Sequence, residues 1–115
     1  MDSDEIRIVD TEEMLDEILL LPRVLLYKHS TRCGTSLRAM LEVERFARAE
    51  ADVPVYGIDV LQQREISGMA AERLGIAHQS PQAILLLHGR PAWHASHSGI
   101  TVAALSVAAT EALSD

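Results

Sequence analysis

The spacing of apolar residues changes several times along the chain, and each change marks an element. Ile6-Arg7-Ile8-Val9 reads as a short strand, and Asp10, with Glu13 three positions on, reads as the N-cap of a helix running to about Leu21. Val24 to Lys28 is a continuous apolar run between Pro22 and the polar His29-Ser30-Thr31, the pattern of a strand covered on both faces. From Cys33 to about Ala49, Leu37, Met40, Leu41, Val43 and Ala47 recur at helical spacing among charged residues. Cys33 therefore opens a helix just beyond a strand. Val53 to Ile58 reads as the next strand, with Pro54 near its start, where a missing donor does least harm. Ile66, Ala70 and Leu74 predict a helix over Arg64 to Leu74, with Gly75 as its C-cap. Gln82 to Leu87 is strand-like, His88-Gly89-Arg90-Pro91 is a turn, and Ala92 to Ala95 returns antiparallel. An alanine-rich helix from Thr101 to Leu113 closes the chain.

The predicted order is β-α-β-α-β-α-β-β-α. Helices between the early strands make those strands parallel, and the late hairpin makes the sheet mixed. That order is α/β and thioredoxin-like: a central mixed sheet with helices on both faces. At 115 residues the whole chain, 1–115, is expected to form one domain. The greasiest run, Ile18 to Tyr27, is too short to span a bilayer and is broken by Pro22 and Arg23. The first residues carry no basic segment or apolar core of the kind a secretory signal needs, so a cytoplasmic location without membrane association is expected. The net charge of -7 argues against nucleic acid, whose phosphates want a basic face.

Charge is spread unevenly. Eight acids (Asp2, Asp4, Glu5, Asp10, Glu12, Glu13, Asp16 and Glu17) crowd the first predicted helix and its approach, whereas Pro22 to Met40 holds Arg23, Lys28, Arg32 and Arg38 and no acid. The one cysteine, Cys33, lies in that basic window. A single cysteine forms no internal disulfide, which fits a reducing compartment and leaves Cys33 as either inert core or chemistry. The first turn of a helix offers unpaired backbone N–H groups and the positive end of the helix dipole, both of which stabilise a thiolate. Arg32 and Lys28 or His29 add positive charge. A thiol pKa lowered from roughly 8.5 to roughly 7.5 raises the thiolate fraction near neutral pH from under about a tenth to about a third.

Ser36 stands three residues after Cys33, where a dithiol oxidoreductase carries its resolving cysteine. A hydroxyl can support the sulfur but cannot attack a mixed disulfide, so an intermediate on Cys33 has to be cleared by an outside thiol. Ser80-Pro81 precedes the fourth predicted strand, and a cis bond there would present the Ser80 backbone across from Cys33 to an extended substrate. His78, His94 and His97 invite a metal reading. His94 and His97 have no nearby cysteine or acid to complete a ligand set, and no metal site is expected. Trp93 reads as packing.

Lys28-His29-Ser30-Thr31-Arg32-Cys33, Ser36, His78-Gln79-Ser80-Pro81-Gln82 and Trp93-His94-Ala95-Ser96-His97 followed by Ile100-Thr101 together resemble the monothiol bacilliredoxins of the bacillithiol system (YtxJ-like). The likeness joins three separated motifs over nearly the whole chain. It implies a thioredoxin fold, Cys33 as nucleophile, Pro81 as the cis-proline, and removal of bacillithiol from mixed disulfides on client proteins. Arg32, Ser36 and Lys28 would support the thiolate, and Ser80, Pro81 and His78 would shape the groove. No bound cofactor is expected; bacillithiol is a low-molecular-weight co-substrate, and the protein is expected as a monomer or weak dimer. Gly34-Thr35 departs from the family's Pro-Ile pair after the cysteine. Cys33-Gly34-Thr35-Ser36 is also similar to the cysteine loop of glutaredoxin-coupled arsenate reductases, which bind the oxyanion with further arginines. A redox-inert thioredoxin-like binding module is the third reading, and an unperturbed, slowly alkylated thiol would mark it.

Overall fold

A computed structural model of the chain describes residues 3–31 and 34–113. Its strands are β1 (Arg7–Ile8), β2 (Arg23–His29), β3 (Val55–Asp59), β4 (Gln82–Leu87) and β5 (Arg90–Ser96), and its helices are α1 (Glu12–Leu19), α2 (Gly34–Ala49), α3 (Arg64–Leu74) and α4 (Val102–Leu113). The strands form one sheet in the order β1-β3-β2-β4-β5. β3 runs parallel to β1 and β2, while β4 is antiparallel to β2 and to β5. The mixed α/β sheet expected from the order of elements is present.

β2 is the central strand and is buried on both faces, which explains its unbroken apolar run. Leu25 and Tyr27 pack on one face with Ala39, Val43 and Phe46 of α2 and Leu105, Ala108 and Ala109 of α4. Val24 and Leu26 pack on the other with Leu15 and Ile18 of α1 and Ile66 and Ala70 of α3. Helices therefore cover both faces. Burying one side chain the size of Phe46 is worth roughly 1.5–3 kcal/mol, so two such clusters anchor the four helices to the sheet. Trp93 packs against the first cluster, as its reading as packing required.

Two helix ends differ from the sequence reading. Thr11, not Asp10, caps α1: its Oγ1 accepts the Met14 N–H at 3.1 Å. The ladder to β3 continues past β1, with the Val9 N–H donating to the Gly57 carbonyl at 2.8 Å, so the chain turns one residue later. α1 also stops at Leu19 rather than about Leu21, capped by Leu20. At the other end of the chain, β5 is longer than Ala92 to Ala95. It starts at Arg90, directly after a two-residue turn, His88-Gly89, in which both φ angles are positive (51° and 77°). That turn twists with the flanking strands. Pro91 is accommodated because β5 is an edge strand, and a register shift between Leu85 and Leu86 takes up the extra residue.

Candidate active site

The carboxyl ends of β2 and β3, the heads of α2 and α3 and the entry to β4 meet at one end of the sheet. β2 delivers His29 there, Ser30 and Thr31 follow, and α2 begins at Gly34. Arg32 and Cys33, and with them the placing of the cysteine in the first helical turn, lie outside the described residues. Their immediate setting is defined. Ser36 is fully buried, and its Oγ accepts the Ser30 N–H at 3.2 Å, clipping both ends of the cysteine loop together. From below, the Tyr27 hydroxyl donates to the Ser36 carbonyl at 2.8 Å and lies 2.9 Å from His29 Nδ1.

These contacts fix the imidazole. A carbonyl only accepts, so the phenolic hydrogen points to Ser36, and His29 Nδ1 must carry the hydrogen that reaches the Tyr27 oxygen. His29 Nε2 is then a lone-pair nitrogen in the neutral ring. Burial holds the His29 pKa below its ordinary value, opposed by Asp59 and the Ser36 carbonyl, and this favours the neutral form.

Lys28 turns the other way. Successive side chains of a strand point to opposite faces, so Lys28 leaves the α2 side and enters the α3 side. There it is fully buried, with Nζ 3.1 Å from the Ser67 carbonyl and 3.4 Å from His78 Nδ1. His78 Nδ1 also lies 3.2 Å from Ser67 Oγ. The structure thus brings together Lys28 and His78, which the sequence reading assigned to separate tasks, and joins Ser67 to them. Burial pulls the Lys28 pKa down; burial and the neighbouring ammonium do the same for His78.

Ser80-Pro81 is a cis peptide at the entry to β4, and Gln82 next to it is opposite Lys28 in the ladder. The Pro81 carbonyl accepts the His97 N–H at 3.0 Å, tying the loop to the end of β5, and His97 Nε2 reaches Gln79 Oε1 at 3.1 Å. Gln82 Nε2 donates to the Ala77 carbonyl. Among the described residues, Ser80 Oγ and Gln82 Oε1 are buried with no hydrogen-bond partner. Beside the first turn of α2 runs a cleft of about 330 Å³, lined by Gly34, Thr35, Arg38, His97, Ser98 and Ile100. Of the basic window, Arg38 borders this cleft, whereas Arg23 sits at the opposite end of β2 and pairs with Asp52 at 3.7 Å.

Tyr27 and Ser67 were not singled out from sequence. For Tyr27 a signal existed: it shares strand parity with His29, and a hydroxyl in an apolar strand needs a partner. Ser67 had none, being one polar residue in an amphipathic helix.

Residues 7–105 match the family model described as Monothiol bacilliredoxin BrxC. The chain belongs to the monothiol bacilliredoxin family. Solved structures agree on the fold. A candidate oxidoreductase with a thioredoxin fold is 27% identical with a TM-score of 0.84, covering 90% of this chain and 93% of that one. Thioredoxin from Trypanosoma brucei brucei is 16% identical with a TM-score of 0.81, covering 96% of this chain and 92% of its own. Thioredoxin from Fasciola hepatica is 17% identical with a TM-score of 0.74, covering 91% and 97%. The fold is that of thioredoxin, and family and fold together support a thiol oxidoreductase. Among the described residues, no helix of this bacilliredoxin is long and apolar enough to cross a membrane.

Proposed function

We propose that the protein is a monothiol thiol-disulfide oxidoreductase that removes bacillithiol from mixed disulfides on client proteins through Cys33. The Cys33 thiolate attacks the bacillithiol sulfur, the client S–S bond breaks, and its electron pair leaves on the client sulfur, which takes up a proton. Cys33 then carries bacillithiol as its own mixed disulfide. A second low-molecular-weight thiol attacks that disulfide, restores the Cys33 thiolate and departs joined to bacillithiol.

One observation carries the reading: in a family match spanning residues 7–105, the single cysteine falls between β2 and α2, with Ser36 where a resolving cysteine would stand. The Ser36 hydroxyl is occupied with the loop backbone and has no redox chemistry. His29, whose neutral ring keeps a lone pair on Nε2 at the end of β2, supports the reading as a proton acceptor four residues before the thiol in sequence. Bacillithiol is the co-substrate and no bound cofactor is needed.

The test is transfer from a bacillithiolated model protein, followed by mass spectrometry. Wild type should gain one bacillithiol as the client loses one, and Cys33→Ser should do neither. A wild-type thiol that neither reacts nor exchanges would refute the proposal.

A further inference from the structure

Among the described residues, the buried cation on the α3 face of the site, Lys28, has no counter-charge. Lys28 is fully buried, and among the described residues its ammonium meets the Ser67 carbonyl and His78 and no carboxylate. An isolated buried ammonium is costly, and a nearby anion is the direct remedy. Ser67 and His78, the two residues that touch Nζ, also line a cavity of about 330 Å³ completed by Val60, Leu61, Arg64 and Gly68. That volume is at the small end for ligand sites, suited to a fragment of a molecule.

Three polar side chains, Arg64, Ser67 and His78, stand in an otherwise apolar lining. Lys28 Nζ and Ser67 Oγ both face His78 Nδ1, and an ammonium cannot accept, so Nδ1 is the acceptor and the ring hydrogen is on Nε2. Arg64 forms no ion pair among the described residues, and it stands with Ser67 in the first turn of α3, whose dipole is positive there. No acid is among the lining residues. A buried cation with no counter-charge among the described residues thus lies next to a pocket whose lining holds no acid.

We infer that this cavity is a carboxylate subsite, holding a carboxylate of the low-molecular-weight thiol while the sulfur of that thiol is exchanged at Cys33. The inference rests on the proposed function for the identity of the thiol. It gives Lys28 and His78 one shared task on the α3 side of the sheet, and it makes the orientation of the small thiol a property of α3.

Succinate serves as the probe and neutral succinamide as its control, followed by NMR of the full chain. Succinate should shift the Ser67 and Gly68 amides and the His78 ring saturably, and succinamide should not. Gly68→Leu is the informative variant, because Gly68 lines the cavity and a Cβ there meets nothing within 4 Å, so the side chain is added where the helix has room for it. It should weaken succinate at least about tenfold, as should Lys28→Met (about 1.4 kcal/mol or more). Absence of these shifts, or equal affinity in Gly68→Leu, overturns the subsite. A second readout compares two mixed disulfides of one client, with bacillithiol and with 2-mercaptoethanol. Wild type should favour the former, and Gly68→Leu should lose that preference. Exchange of both without succinate shifts refutes the subsite alone, whereas exchange of neither refutes the proposed function and with it the thiol as ligand.

Discussion

Tyr27 holds the cysteine loop from beneath, and its hydroxyl joins two groups that cannot find water. In Tyr27→Phe the Ser36 carbonyl and the His29 Nδ1–H lose that shared partner inside the protein. An unsatisfied buried group costs about 1–3 kcal/mol, so the urea midpoint should fall accordingly while the fold is kept. The same variant frees the His29 ring to change tautomer, and alkylation of Cys33 at neutral pH should change with it. An unchanged midpoint and an unchanged alkylation rate would show that the network neither stabilises the loop nor tunes the thiol. Lys28, by contrast, shows how one step along a strand separates neighbours: His29 serves the α2 side, while Lys28 belongs to α3.

Among the helices and turns, two glycines make opposite predictions. Gly68 lies within α3, and a Cβ there meets open space, so Gly68→Ala should stabilise the protein by about 0.5–1 kcal/mol through helix propensity. Gly89 sits in the β4–β5 turn with φ of 77°, and a Cβ there would stand 2.6 Å from the Leu19 carbonyl oxygen at the end of α1. Gly89→Ala should therefore destabilise by at least about 1 kcal/mol, because both the turn and the α1 contact must shift. Thermal melts of the two variants beside wild type check the contrast, and a shift of the same sign in both would disprove it. α3 and β4 have the bounds that spacing alone predicts, since Gly75 adopts the left-handed C-cap and β4 is bounded by the Pro81 and His88-Gly89 punctuation.

For the molecule as a whole, stability should depend on pH in a direction set by two histidines of the site. His29 and His78 both have lowered pKa values in the folded chain. Between those lowered values and the ordinary value near 6.5, the unfolded chain binds more protons than the folded one, so the unfolding free energy rises with pH. The contribution is fully present above about 6.5 and is lost as pH falls toward the folded values. Urea midpoints should accordingly be lower near about pH 5.5 than near about pH 7.5. A midpoint under the acidic condition equal to or above the other would contradict this.

The order and type of the elements can be read from the chain alone, because periodicity, proline and glycine act locally. So can the cysteine's place at the β2–α2 junction, since one thiol between an apolar run and an amphipathic helix has no other place in this order. The family's three motifs are legible for the same reason: each is contiguous. Which side chains meet is settled only on folding. The pairing of Lys28 with His78, 50 residues apart, depends on the β2–β4 register and on the path of the loop before Pro81. The Tyr27–His29–Ser36 network depends on α2 lying over that particular face of β2. The cap falls at Thr11 because one further ladder bond ties Val9 to β3. Contacts across a sheet are set by register and packing, and neither leaves a local trace in the chain.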